Sequence, residues 1–221
     1  MHDLTINLAL ADVLGRINAA ATRVGRDPQE ITLVAVSKGV GQEAILALAR
    51  AGITVFGENR VQEAIDKFSG MPATSLHFIG SLQMNKVKKA VGFFDLIHSI
   101  DSIPLAEKVS EEAKRQSFVQ SVLIQINLGG ETAKGGVSVK ELPALFAAVQ
   151  QCSHLKLLGL MAIPPISTNP RPYFSRLREL GTSFELTRFS MGMSSDFEMA
   201  IEEGASWIRI GTAIFGSRLP R

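Results

Sequence analysis

Lys38 is the residue of this chain whose position points most directly to chemistry. It follows ITLVAVS (Ile31–Ser37), an almost continuous β-branched run that reads as a strand buried on both faces. An ammonium flush with the end of such a strand is poorly solvated. Desolvation and neighbouring cations lower a lysine pKa and favour the neutral amine that attacks a carbonyl. The plain alternative is a surface lysine just past a strand. Two later segments bear on that choice. In GMSSDFEMAIEEGA (from Gly192), Ser194 and Ser195 stand where they would cap a helix with acids in its first turn. In RIGTAIFGSR (from Arg209), Gly211 permits close approach, and Thr212 adds a hydroxyl and an N–H. Free N–H groups at a helix start suit a phosphate. Ordinary capping explains either segment alone; two such devices after adjacent strands favour a phosphate.

The elements that must position these residues alternate regularly. Leu4–Val24 carries apolar residues at Val13, Leu14, Ile17, Ala20, Ala21 and Val24, a helical spacing that ends at Gly25 and Pro28. After ITLVAVS, seven further short apolar runs begin at Thr54, Leu76, Asp95, Val122, Leu157, Thr187 and Trp207. Amphipathic or Ala-rich pieces, such as PLAEKVSEEAKRQ and ELPALFAAVQQ, lie between them. Eight strands alternating with helices imply a parallel sheet, and the expected fold is a single (β/α)8 TIM barrel over residues 1–221 with an extra N-terminal helix. An open doubly wound sheet is the runner-up. Against it, G-x-G-x-x-G does not follow the first strand, and G-x-x-x-x-G-K-[ST] occurs nowhere. The glycine-rich NLGGETAKGGVS (from Asn127) reads as a mobile βα loop.

In such a barrel the chemistry sits at the C-terminal ends of the strands. There the sequence offers Lys38, Glu58, Asn59, Ser81, His98 to Asp101, Asn127, Met161 to Pro165, Gly192 to Ser194, and Gly211 with Thr212. The eighth strand closes against the first, so the phosphate cradle is expected beside Lys38. A ligand with a phosphate at one end and an aldehyde at the other would bridge them. Pyridoxal 5′-phosphate has that form, and so does a phosphosugar held as a Schiff base; residue types alone leave both open.

Bulk composition excludes several classes. A balance of 23 basic against 21 acidic residues gives no electrostatic case for nucleic acid. The lone Cys152 rules out an intrachain disulfide framework and a cysteine-based zinc cluster, and agrees with a reducing compartment. His2, His77, His98 and His154 show no metal spacing, so no metal site is expected. The N-terminus has acids inside its apolar run and no basic start, and no apolar stretch is long enough to span a bilayer, so a cytoplasmic protein is expected.

Six blocks then point to one family: VAVSK (Val34–Lys38), FGENRVQEA (Phe56–Ala64), HFIGSLQMNK (His77–Lys86), IHSIDS (Ile97–Ser102), GLMAIPP (Gly159–Pro165) and SMGMSSDFEMAI…IRIGTAIFGSR (Ser190–Arg218). They resemble the YggS family, the pyridoxal phosphate homeostasis proteins also called PROSC, which look like the barrel domain of alanine racemase standing alone. The resemblance implies that Lys38 carries the cofactor as an internal aldimine. It also implies that Arg209 meets the pyridine nitrogen, and that Ser194, Gly211 and Thr212 hold the phosphate. Asn59 would lie beside the ring, and Met191 and Gly192 would pass close to it. Three departures from the family pattern are a short ISTNP before RPYF, Phe189 in place of leucine, and Gly39 in place of threonine.

Catalysis is not expected of this residue set. Arg209 can only donate a hydrogen bond, which leaves the ring nitrogen neutral and the electron sink weak. A racemase needs a second base opposite the lysine, and the only tyrosine, Tyr173, reads as packing at a helix start. Asp196 and Glu198 read as helix-start acids. His77 reads as a strand-end contact and His98 as a residue facing the mouth. The expected function is therefore reversible holding of the cofactor in pyridoxal phosphate homeostasis, by a monomer, with apo-enzymes that need it as recipients. The alternatives are a racemase-like enzyme, in which Tyr173 would matter, and a phosphosugar enzyme using Lys38.

Overall fold

The computed structural model describes residues 2–71, 74–131, 135–165, 167 and 169–216. Parts of three segments that carried sequence expectations lie outside them: Thr132–Lys134 in the glycine-rich loop, Ile166 and Thr168 in ISTNP, and Ser217 and Arg218 in the last block.

Helix α1 (His2–Arg23) buries Ile6, Leu10, Val13, Ile17, Ala20 and Ala21, the stripe its periodicity requires. Strands and helices then alternate. Strand β1 (Thr32–Val36) leads to α2 (Gln42–Arg50), and β2 (Val55–Glu58) to α3 (Val61–Phe68). Strand β3 (Ser75–Phe78) leads through a 3-10 turn to the short α4 (Val87–Ala90), and β4 (Leu96–Ile100) to α5 (Ile103–Arg115). Strand β5 (Gln120–Asn127) is followed by the two-residue β6 (Val137–Ser138) and α6 (Leu142–Gln151). Strand β7 (Leu155–Ala162) leads to α7 (Arg171–Ser183), β8 (Phe189–Met193) to α8 (Phe197–Glu202), and β9 (Trp207–Ile210) to α9 (Thr212–Phe215).

All strand pairings are parallel, and β1 joins both β2 and β9 while β5 joins both β4 and β7. Eight strands thus close a barrel, with β6 lying outside the ring on the end of β5. The eight-strand (β/α)8 expectation and the extra N-terminal helix hold. The loop reading of NLGGETAKGGVS is corrected at its end, where Val137 and Ser138 pair with Ile126 and Asn127.

Strand alternation divides the core in two. One side of each strand packs under the helices, as with Ala35, Phe56, Phe78, Ile97 and Ile208. The other fills the barrel lumen with Val34, Leu96, Leu123, Met161 and Trp207. Helix α1 is fastened across α8: Arg16 Nε donates to Glu198 Oε1 at 2.9 Å and its guanidinium lies 4.7 Å from the centre of the Phe197 ring. Glu202 pairs with Arg23 and Arg171, and Glu203 with Arg171 and Arg178. Asp196 and Glu198 do stand at the start of α8, as expected.

Candidate functional site at the barrel mouth

Lys38 stands immediately beyond β1, on the side of the strand that carries Val34 and Val36 into the lumen. The chain turns at once: Val40 N–H donates to Ser37 O at 2.9 Å, and Gly39 takes φ +70°, a left-handed conformation that threonine would adopt only with strain. That turn gives a physical reason for glycine where the family commonly has threonine. A cavity of about 640 Å³ opens at the mouth. It is lined by Lys38 and Asn59 from the first two units, Gln125 and Asn127 from β5, and Ser194, Arg209, Gly211 and Thr212 from the last two. This size suits a small-molecule ligand. A second hollow of about 930 Å³ adjoins it outside the barrel, sharing Lys38, Asn59, Gly211 and Thr212 and reaching Ile6 and Ala9 of α1.

Six of the eight expected site residues therefore line one cavity: Lys38, Asn59, Ser194, Arg209, Gly211 and Thr212. Met191 and Gly192 line neither hollow. Met191 is fully buried under the helices, while Met193 faces the mouth instead. Gly192 has φ +89°, and a Cβ there would stand 2.6 Å from Ala200 Cβ, so its glycine is required by the packing of α8 against β8.

The serines behave differently from the expected capping of the helix after them. Helix α8 receives no side-chain cap. Ser194 Oγ instead accepts from Gly211 N–H at 3.3 Å and Ala213 N–H at 3.2 Å, at the start of the neighbouring α9. Asp196 Oδ1 accepts from Met193 N–H at 2.6 Å and fixes the turn that presents Ser194. Burial raises the Asp196 carboxyl, with the Met193 bond and the Arg209 charge acting against it.

Arg209 is fixed from beneath. It is almost fully buried on β9, donating to Ser190 Oγ and, through Nη2, to Ala162 O at 2.9 Å. Burial pulls its pKa down to about 10, so it remains a cation at neutral pH. Behind it, His98 Nδ1 lies 2.8 Å from Ser190 Oγ and His98 Nε2 lies 3.0 Å from His77 Nδ1. His77 is the third of the four residues of β3, in contact with His98, whereas His98 is fully buried in the lumen rather than facing the mouth. Because arginine only donates, Ser190 Oγ must accept from it. The arrangement that gives the Ser190 proton an acceptor then has Ser190 donating to His98 Nδ1, and His98 Nε2–H donating to His77 Nδ1. Desolvation lowers both histidines, His77 to about 4 and His98 well below its usual range, with the His77 and Arg209 charges adding to the effect on His98. Both are neutral under ordinary conditions.

Gln125 is a lining residue that the sequence reading did not single out. It lies two positions before Asn127 on β5, and a polar pair at i, i+2 in an otherwise apolar parallel strand is a signal that was available. Tyr173, on α7, lines neither hollow.

The donor set fits pyridoxal phosphate: an amine after β1 and, on the neighbouring strand ends, hydroxyls and backbone N–H groups around Ser194, Gly211 and Thr212, with the Arg209 cation in the same lining. Comparison with known proteins agrees. Residues 10–219 match the family model of the alanine racemase N-terminal domain. The pyridoxal phosphate homeostasis protein of Aquifex aeolicus is 46% identical over 220 residues, 95% of this chain and 96% of the relative. That of Escherichia coli K12 is 42% identical over 99% of this chain and 98% of the relative. PipY of Synechococcus elongatus, solved with pyridoxal phosphate bound, superimposes with a TM-score of 0.84 at 35% identity, covering 96% of this chain and 100% of PipY. Alanine racemase of Clostridium difficile shares the fold, with a TM-score of 0.78 at 13% identity over 97% of this chain and 57% of the racemase. The chain belongs to the pyridoxal phosphate homeostasis protein family, built on the alanine racemase N-terminal domain fold.

Proposed function

We propose that this chain binds pyridoxal 5′-phosphate reversibly at Lys38 and acts as a holder of the cofactor in its homeostasis, giving it up to apo-enzymes that need it. The observation that carries this reading is the mouth cavity, whose lining brings together Lys38, Ser194, Gly211, Thr212 and Arg209. Lys38 would hold the cofactor through its amine, and the cofactor, when bound, would supply the aldehyde for that reversible link. Arg209 offers its ring nitrogen a hydrogen bond and no proton acceptor. The cradle N–H groups meet the phosphate, and Asn59 borders the ring. Met191 and Gly192 act on the site only by fixing the β8–α8 turn from behind.

Holding is favoured over turnover by the chemistry of the lining. Lys38 and Arg209 are its only ionisable side chains among the described residues; the remainder are amides, hydroxyls, backbone and apolar groups. A racemase needs a proton acceptor on each face of its substrate, and Tyr173 and both lumen histidines lie elsewhere.

The test is the visible spectrum of the purified chain before and after pyridoxal phosphate and then borohydride, with peptide mapping. A yellow species that borohydride fixes to the Lys38 peptide is the expected result, and Lys38→Ala abolishes it. Absence of that species in the wild-type chain, even with added cofactor, overturns the reading and favours a colourless phosphosugar enzyme.

A further inference from the structure

A cluster outside the barrel lumen brackets Lys38 without lining the mouth cavity. Lys67, on α3, places its ammonium on three separate acceptors: Ser37 O at 2.7 Å, Glu58 Oε1 at 3.0 Å and Glu63 Oε1 at 2.6 Å. Glu63, one helical turn before it, also accepts the Gly39 N–H at 2.5 Å. The carbonyl before Lys38 and the amide after it are thereby joined through one lysine and one carboxylate. Ser37 Oγ closes a second, smaller ring by donating to Glu58 Oε1 at 2.7 Å.

The cluster is sheltered enough for these bonds to hold. The Lys67 side chain is 15% exposed, Glu63 25% and Glu58 0%. Charge-assisted bonds in such surroundings are short and directional. They act on a turn that needs restraint, because Gly39 is the most permissive residue type and sits at φ +70° directly after Lys38. A lysine side chain has four rotatable bonds of its own, so a turn that also drifted would spread the amine over many positions.

We infer that Lys67 and Glu63 are positioning residues that lock the peptide groups on either side of Lys38 and so aim its amine into the mouth cavity. The inference rests on the reading of Lys38 as the cofactor-binding amine. Neither residue forms a bond to the cofactor. Their effect is on the fraction of time the amine spends in a reactive position, which sets the rate of capture.

The test uses the full chain, stripped of cofactor, at a pH and temperature where every variant is folded. Pyridoxal phosphate is added and the appearance of the Lys38-linked chromophore is followed. Glu63→Met and Lys67→Met are expected to slow capture about tenfold, while Glu63→Gln, which keeps an acceptor oxygen in place, stays within about threefold of wild type. Hydrogen exchange at the Gly39 amide, measured without cofactor, should be faster in Glu63→Met than in Glu63→Gln. If Lys67→Met does not fold, the Glu63 pair carries the test alone. Wild-type capture rates in the Met variants overturn the inference, as does unchanged Gly39 exchange or a Glu63→Gln variant as slow as Glu63→Met. A wild-type chain that captures no cofactor overturns instead the reading beneath it, and the inference falls with it.

Discussion

Ser190→Ala tests the hydrogen-bond chain beneath the mouth most directly. The serine hydroxyl accepts from Arg209 and is the only recorded partner of His98 Nδ1 among the described residues. Its removal changes little volume but leaves a charged donor and a ring nitrogen unpaired, in a part of the lumen where Ser190 and His98 are fully buried and Arg209 is 4% exposed. An orphaned buried group costs about 1–3 kcal/mol, and more when it is charged. The variant should therefore lose about 3–5 kcal/mol, a large share of the roughly 5–15 kcal/mol that stabilises a domain. Trp207, the only tryptophan, is buried with its ring centre 6.0 Å from that of His98, so its fluorescence in a urea titration reports on this layer. In a His98→Leu background Ser190→Ala should cost less by about 1–2 kcal/mol, because only the Arg209 Nη1–H then loses its partner while Nη2 keeps Ala162 O. A loss below about 1 kcal/mol for the single variant would refute the bridging role of the hydroxyl. Equal losses in the two backgrounds would refute the link to His98.

Three further outcomes follow from individual contacts. Gly192→Ala should cost about 3 kcal/mol, measured by urea unfolding, since its Cβ would overlap Ala200 at 2.6 Å on a backbone at φ +89° that L-residues avoid. Ser194→Ala should cost the cofactor-free chain about 1 kcal/mol by freeing two N–H groups held at 3.2–3.3 Å; added inorganic phosphate should recover part of this in a thermal melt if those groups accept an anion. The His77 pKa falls from 6.5 unfolded to about 4 folded, so both states are unprotonated above pH 6.5 and only the unfolded chain gains a proton as the pH drops towards 4. Stability should decline across that window by up to about 3 kcal/mol from this residue alone, and His77→Asn should flatten the pH dependence by up to about 1.4 kcal/mol per pH unit; an unchanged slope would count against a buried neutral His77.

Strand order and barrel closure were legible because strands buried on both faces are written as continuous apolar runs, and the helices between them keep a 3.6-residue period. That Lys38, Asn59, Ser194, Arg209, Gly211 and Thr212 line one cavity was legible because they fall at or near strand ends that the fold brings to one rim. Met191 was not separable from its neighbours in sequence, since β8 is irregular in register between Ser190 and Met193 and simple alternation fails there. Ser194 was assigned to the helix that follows it because local sequence shows only that helix; the partner it caps arrives with β9 from seventeen residues later in the chain. Glu63 and Lys67 are spaced i, i+4 in sequence, which by itself marks no site. What distinguishes them is the carbonyl and amide flanking Lys38, thirty and twenty-four residues away.

The charge layout gives the site a direction. Lys38 and Arg209 are the only ionisable groups facing the mouth cavity among the described residues, and both are cationic donors when protonated, so the cavity favours an anion such as a phosphate ester. Three nearby acids are held by other partners. Glu58 and Glu63 are engaged behind β1 by Lys67, and Asp196 is held by the Met193 amide. Burial raises Glu58, against the bonds from Ser37 and Lys67. For Glu63 burial acts in the same sense, but the bonds from Lys67 and Gly39 outweigh it and the carboxyl is lowered. A carboxylate turned towards the cavity would compete for the Lys38 ammonium and repel the phosphate. Through Lys67, the negative charges of Glu58 and Glu63 brace the turn that carries Lys38. Such a site gains affinity from the phosphate and reversibility from the amine.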